Sequence, residues 1–175
     1  MSRLPYEPGQ EPLQAMADCN ERLLQHCATL RRLAPYLGEC GFDPQARTAV
    51  DQLSRFFDHA LPLHHADQEQ DLFPALLEAM AGSHAVCLHE LGDGLAQEHR
   101  ELQRLWLGLR PALQDLASGR VGSLPAQEVE GFIARCQACA AREDGELLPM
   151  AARLLLDGQL EQLAEGMRRR RSTPT

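Results

Sequence analysis

The stretch HHADQEQDLFP, residues 64–74, decides how this chain is read. His64, Gln68 and Leu72 recur every fourth residue, so a helix through the stretch sets two polar side chains and one leucine on a single face. Followed backwards, that face takes in Leu61 and Phe57, which marks it as an inner face. Polar groups on an inner face cost free energy unless they are paired or bind an ion. Pro62 and Pro74 fall within the pattern, but the apolar periodicity continues through both. They predict bends rather than ends.

The pattern recurs in CAAREDGELLPMA, residues 139–151. Aligned on the prolines, His64 falls on Cys139, Gln68 on Glu143 and Leu72 on Leu147. Two helices therefore carry inward polar positions at i and i+4 and at matched depth. A helical bundle that gathers polar side chains at one level of its core needs this arrangement.

Glycine and proline divide the rest into long helical tracts. The first spans residues 13–37, with Ala17, Asn20, Leu23, Leu24, Cys27 and Leu30 on one face. GECGFDP (38–44) breaks it, with a glycine cap and Pro44 near the next start. The second spans 44–80, and AGS (81–83) turns the chain with Ser83 as N-cap. The third, 84–117, carries Leu88, Leu91, Leu95, His99, Leu102, Trp106 and Leu109 on one stripe, with Pro111 expected to kink its end. SGRVGS (118–123) is a loop. The fourth, 124–156, presents Val129, Phe132, Cys136, Cys139, Glu143, Leu147 and Met150. A short amphipathic segment follows Asp157-Gly158, and RRRRSTPT (168–175) reads as a basic, disordered tail.

These tracts predict an all-α protein: an up-and-down four-helix bundle over residues 13–167 with a short C-terminal helix. Residues 1–12 and 168–175 are its tails. Length and composition agree. The 175 residues suffice for one core, and 44% hydrophobic with 24% charged residues is ordinary for a globular domain. Aromatics are only 5%, which disfavours a β fold. A net charge of −8 argues against a nucleic-acid partner. No apolar run is long enough to span a bilayer, and MSRLPYEPGQEP lacks the apolar centre of a secretory signal. A cytoplasmic location is expected, with the six cysteines as thiols. No nucleotide fingerprint or nucleophile–base pair appears, and Glu98-His99 lacks the spacing of a zinc protease.

The segments FFDHALPLHHADQEQDLFPALLE (56–78), QEHRELQRLWLGLRPAL (97–113) and FIARCQACAAREDGELLPMA (132–151) resemble the hemerythrin-like, HHE cation-binding family. CNERLLQHCATLRRL (19–33) extends the likeness into the first helix. The resemblance implies a four-helix bundle around a non-heme di-iron centre, used for oxygen binding, oxygen or iron sensing, or stress responses. Carried over by position, the family's ligands fall on His64, His99 and Glu143, which are retained. They also fall on three changed positions: Asn20 and Cys139 for histidine, and Gln68 for a bridging glutamate. A second ligand on the third helix would fall near Leu95 or Gln103 and is absent.

Two iron(II) ions bring about four positive charges, which one retained carboxylate balances poorly. The reading favoured by the substitutions is a degraded site on a metal-free scaffold with no cofactor. Its expected role is binding, regulation or sensing of an unspecified protein or small molecule, without enzymatic turnover. A homodimer is left open. In this reading Asn20 and Gln68 satisfy Glu143, His64 and His99 by hydrogen bonds. The alternative is an oxygen, redox or metal sensor with zinc or non-heme iron, mononuclear or dinuclear, on His64, His99, Cys139 and Glu143. Glu69, Asp144 or His65 are auxiliary ligands in that case. Cys136 and Cys139 form CQAC, whose mid-helix setting favours core thiols over a redox pair. His26, His59, His65, His84 and His89 read as surface histidines.

Overall fold

The computed structural model describes residues 11–80, 85–118, 120 and 123–172. Every regular element among them is helical, as expected for an all-α bundle. The first arm is α1 (Glu11–Cys40). The second is a continuous run of α2 (Pro44–Arg55), α3 (Leu61–Asp67) and α4 (Phe73–Ala79), joined by π turns at Phe56–Ala60 and Gln68–Leu72. The third is α5 (Ala85–Ala117), and Pro111 sits inside it without ending it. The fourth is α6 (Ala126–Arg142), a π turn at Glu143–Leu147, and α7 (Leu148–Leu154). The first arm packs on α2 and α6, and α5 packs on α2, α4 and α6, so the first and third arms each lie against both the second and the fourth.

Local chemistry sets the joints. Gly41 takes φ +71°, the left-handed conformation that ends α1. Asp43 caps α2, its Oδ1 accepting from the Ala46 amide at 2.8 Å, and Pro44 occupies the first turn, where no amide donor is needed. The prolines do not end the second arm, and a specific device accommodates them. A proline lacks an amide hydrogen, and its ring collides with the carbonyl four residues back. Ahead of Pro62, Pro74 and Pro149, one turn widens to the π form. Leu61, Phe73 and Leu148 donate to Phe56, Gln68 and Glu143, each five residues back. The echo seen in the sequence is thus an echo in backbone geometry, with Gln68 and Glu143 each opening a π turn.

The core follows the predicted stripes. Leu13, Met16, Leu30, Leu53, Leu72, Leu76, Leu95, Trp106 and Phe132 are buried. Leu24, assigned to the inner face of α1, is 40% exposed and lies off it. The C-terminal expectation needs a larger correction. Residues 168–172 are not a disordered tail but the last turns of α8 (Asp157–Ser172), because Arg170 and Arg171 pair with Asp67 and Asp71. Helix α1 begins at Glu11, inside the expected tail. Residues 1–10, 81–84, 119, 121, 122 and 173–175, which include the expected Ser83 cap, His84 and parts of the expected tails and loop, lie outside the described residues.

Candidate metal centre

Glu143 is the centre of the polar core. It opens the π turn of the fourth arm, is 1% exposed, and receives donors from three arms. Oε2 accepts from His64 Nε2 at 2.9 Å and from Gln68 Nε2 at 2.6 Å. Oε1 accepts from Cys139 Sγ at 3.2 Å and faces His99 Nε2 at 3.3 Å. Two nitrogens thus share Oε2, and the 3.0 Å between Gln68 Nε2 and His64 Nε2 is the spacing of two donors on one acceptor. Burial alone would raise the Glu143 pKa. The His64 and His99 imidazoles outweigh it and hold the carboxyl well below its usual range. His64 answers in kind: burial pulls its pKa down, but Glu143, with Cys19 beside it, raises it above the ordinary histidine value.

The other site residues arrange themselves around this centre. His99 Nδ1 donates to Glu69 Oε1 at 2.7 Å, which turns Nε2 inward. Burial lowers the His99 pKa, and Glu143 and Glu69 more than restore it, leaving it raised. Asn20 Nδ2 donates to Asp144 Oδ1 at 2.8 Å, and burial still leaves the Asp144 pKa raised. Cys139 meets Glu143 as a thiol. Burial and the facing Glu143 carboxylate push its pKa far up, so it stays an S–H donor. Cys136 is likewise held protonated, by contact with the Cys27 thiol and by burial, and both CQAC thiols lie in the core mid-helix.

His65 overturns its assignment to the surface. It is 8% exposed and stacks on His99 with ring centroids 3.8 Å apart and planes 4° apart. Burial and the neighbouring imidazoles lower its pKa well below the ordinary value, so it stays neutral. Among the described residues, the potential ligand atoms that lie within 4.8 Å of one another belong to His65, His99 and Glu143. His64 and Cys139 touch Glu143 but stand outside that group. A signal for His65 exists in the sequence: His65 and Glu69 repeat, one residue on, the i, i+4 spacing of His64 and Gln68. A single-stripe reading discards the neighbouring stripe. The second arm packs against more than one arm, so it is buried on more than one face.

Among the described residues, three buried side-chain polar atoms have no hydrogen-bond partner: Asn20 Oδ1, Gln68 Oε1 and His65 Nε2. The two amide oxygens are acceptors, and so is a neutral imidazole nitrogen without its hydrogen. Unpaired acceptors in a core are expensive, and a bound cation is one way to satisfy them. A dinuclear centre does not fit, because Glu143 is the sole fully buried carboxylate among these residues and Gln68 and Asn20 are neutral amides. By type, two imidazoles and one carboxylate suit a single divalent cation, which His65 would reach by turning its ring out of the stack on His99.

With this geometry the chain belongs to the hemerythrin HHE cation-binding domain family, which it matches over residues 11–151. It is also 28% identical over 123 residues to an uncharacterized protein of Haemophilus influenzae, a match covering 70% of this chain and 69% of that one. Among the described residues, no helix is long and apolar enough to cross a membrane.

Proposed function

We propose that this protein binds one divalent cation at His65, His99 and Glu143 and works as a metal or redox sensor without turnover. The observation that carries the reading is the convergence of those three ligand atoms within 4.8 Å in a buried core. Two imidazoles with one carboxylate suit iron(II) or zinc. Glu69 supports the assignment, since its contact with His99 Nδ1 presents Nε2 to the site in the way outer carboxylates orient metal-binding histidines. When bound, the cation supplies a fixed positive charge and Lewis acidity at the Glu143 carboxylate. His99 would release its Nε2 proton on binding, His65 is already neutral, and Glu143 is already charged. Occupancy therefore depends on pH through His99.

A metal-free scaffold is the second reading, and one observation favours it. Glu143 already has donors from His64, Gln68 and Cys139, so its charge is balanced within the protein. Metal analysis separates the two. Protein expressed with iron and zinc present should hold about one ion per chain. The chelated protein, titrated with Zn²⁺ or Fe²⁺, should regain it with one-to-one stoichiometry. His65→Ala and His99→Ala should each weaken binding at least tenfold, while His64→Ala should keep one ion. Wild-type protein that takes up no ion would establish the scaffold instead.

A further inference from the structure

Helix α8 lies beyond the residues that match the family, but it packs on the segment that carries the family's pattern. Its anchor is Asp67, which has no exposed surface and directly precedes Gln68. Arg171 Nη2 donates to Asp67 Oδ2 at 2.5 Å and Nη1 donates to Oδ1 at 3.2 Å. Arg170 Nη1 donates to the same Oδ1, and its Nη2 reaches Asp71 Oδ2 at 2.8 Å and Gln70 Oε1 at 3.1 Å. A fully buried carboxylate persists only when paired, and two guanidinium groups of α8 pair this one. The approach is close. A Cβ on Gly166 would stand 2.6 Å from Asp71 Oδ2, so glycine leaves room for the Asp71 carboxylate in its pairing with Arg170.

Under α8 runs a groove of about 1100 Å³ that reaches Cys19 and His64. Leu160, Ala164, Met167 and Arg171 supply the α8 side of it. Cys19 and His64 are only 4% and 2% exposed, although they line this space. A 16-residue helix is marginal in water by itself, so α8 holds its form mainly through what it packs against.

We propose that α8 is a lid over this route to the polar core, clasped shut by Arg170 and Arg171 on Asp67. Loss of the clasp frees one wall of the groove and uncovers the side of Cys19 and His64 that faces it. The lid acts on access and does not depend on which ion, if any, the core holds.

Thiol chemistry reads the lid directly. The full chain, freed of metal with a chelator, is alkylated with iodoacetamide, and the rates at Cys19 and Cys136 are followed by peptide mass. Cys136 is fully buried and does not line the groove, so it reports general loosening. The double variant Arg170→Gln/Arg171→Gln should alkylate at Cys19 at least tenfold faster than wild type, with Cys136 unchanged. Gly166→Ala, whose Cβ would push the Asp71 carboxylate off Arg170 without altering charge, should move Cys19 the same way. If the double variant loses helical circular dichroism, Gly166→Ala alone decides. Unchanged Cys19 rates, or Cys19 and Cys136 accelerating together in Gly166→Ala, would overturn the lid.

Discussion

Replacing Glu143 by Gln removes the charge at the centre of the core while keeping its shape. The amide can present an oxygen to His64 and Gln68 or to His99 and Cys139, but not to both sides, so at least two donors face a donor. The larger effect is on protonation. In wild type the His64 pKa is raised, so between the unfolded value near 6.5 and the folded value the native state binds one proton more than the unfolded chain. Stability then falls with rising pH by about 1.4 kcal/mol per unit, roughly 2 kcal/mol from pH 6.5 to 8. Below pH 6.5 this contribution is fully present. The depressed Glu143 pKa adds stability that is present above about pH 4.5 and lost only as the pH falls below that.

In Glu143→Gln the sign reverses. A buried His64 without its carboxylate stays neutral when folded, while the unfolded chain takes up a proton below about pH 6.5. Stability of the variant should then rise by roughly 2 kcal/mol from pH 5 to 6.5 and level off. The gap between the two proteins should widen by about 4 kcal/mol from pH 8 to pH 5, because groups common to both cancel. His99, also raised by Glu143, adds to the gap in the same direction. Denaturant unfolding at pH 5, 6.5 and 8 in the presence of a chelator measures it. Parallel profiles for wild type and variant would refute the ion pair as the organising element of the core.

Gln68→Glu places a second carboxylate where an amide nitrogen now lies 2.6 Å from Glu143 Oε2. Keeping one of the two protonated at pH 7, against a usual value near 4.3, costs about 3–4 kcal/mol. Unfolding midpoints should therefore drop in chelator and recover with added Fe²⁺ or Zn²⁺, and metal analysis should move toward two ions per chain. Trp106→Phe deletes the indole donor that meets Asp58 Oδ1 at 2.7 Å and leaves Asp58 with Arg110 alone. A loss of about 2 kcal/mol in denaturant unfolding is expected, from the orphaned acceptor and the space left beside Phe57 and Phe132.

The fold was legible because helical periodicity is a local signal. The stripes through Phe57, Leu61, His64, Gln68 and Leu72 and through Leu88 to Leu109 are the buried ones. The echo between residues 64–76 and 139–151 marked the two π turns that present Gln68 and Glu143. What could not be read from one helix was which neighbour each side chain would meet. His65 is one position off the main stripe and is buried because α5 brings His99 flat against it. Asp67 and the arginines at 170 and 171 are separated by about a hundred residues, and a run of arginines looks like a solvated tail until a buried carboxylate is placed opposite it. Cys139 sits at a ligand position, but its protonation depends on the carboxylate one turn away and on burial, which composition does not record.

The sequence by itself determined the helices, their inner faces and the level at which polar groups enter the core, since these depend on spacing along one helix. The tertiary structure decided which donors converge, which acceptors stay unpaired, which groups carry charge and how α8 closes over them. Those properties arise from distances between arms and from the exclusion of water, and both exist only once the arms are packed.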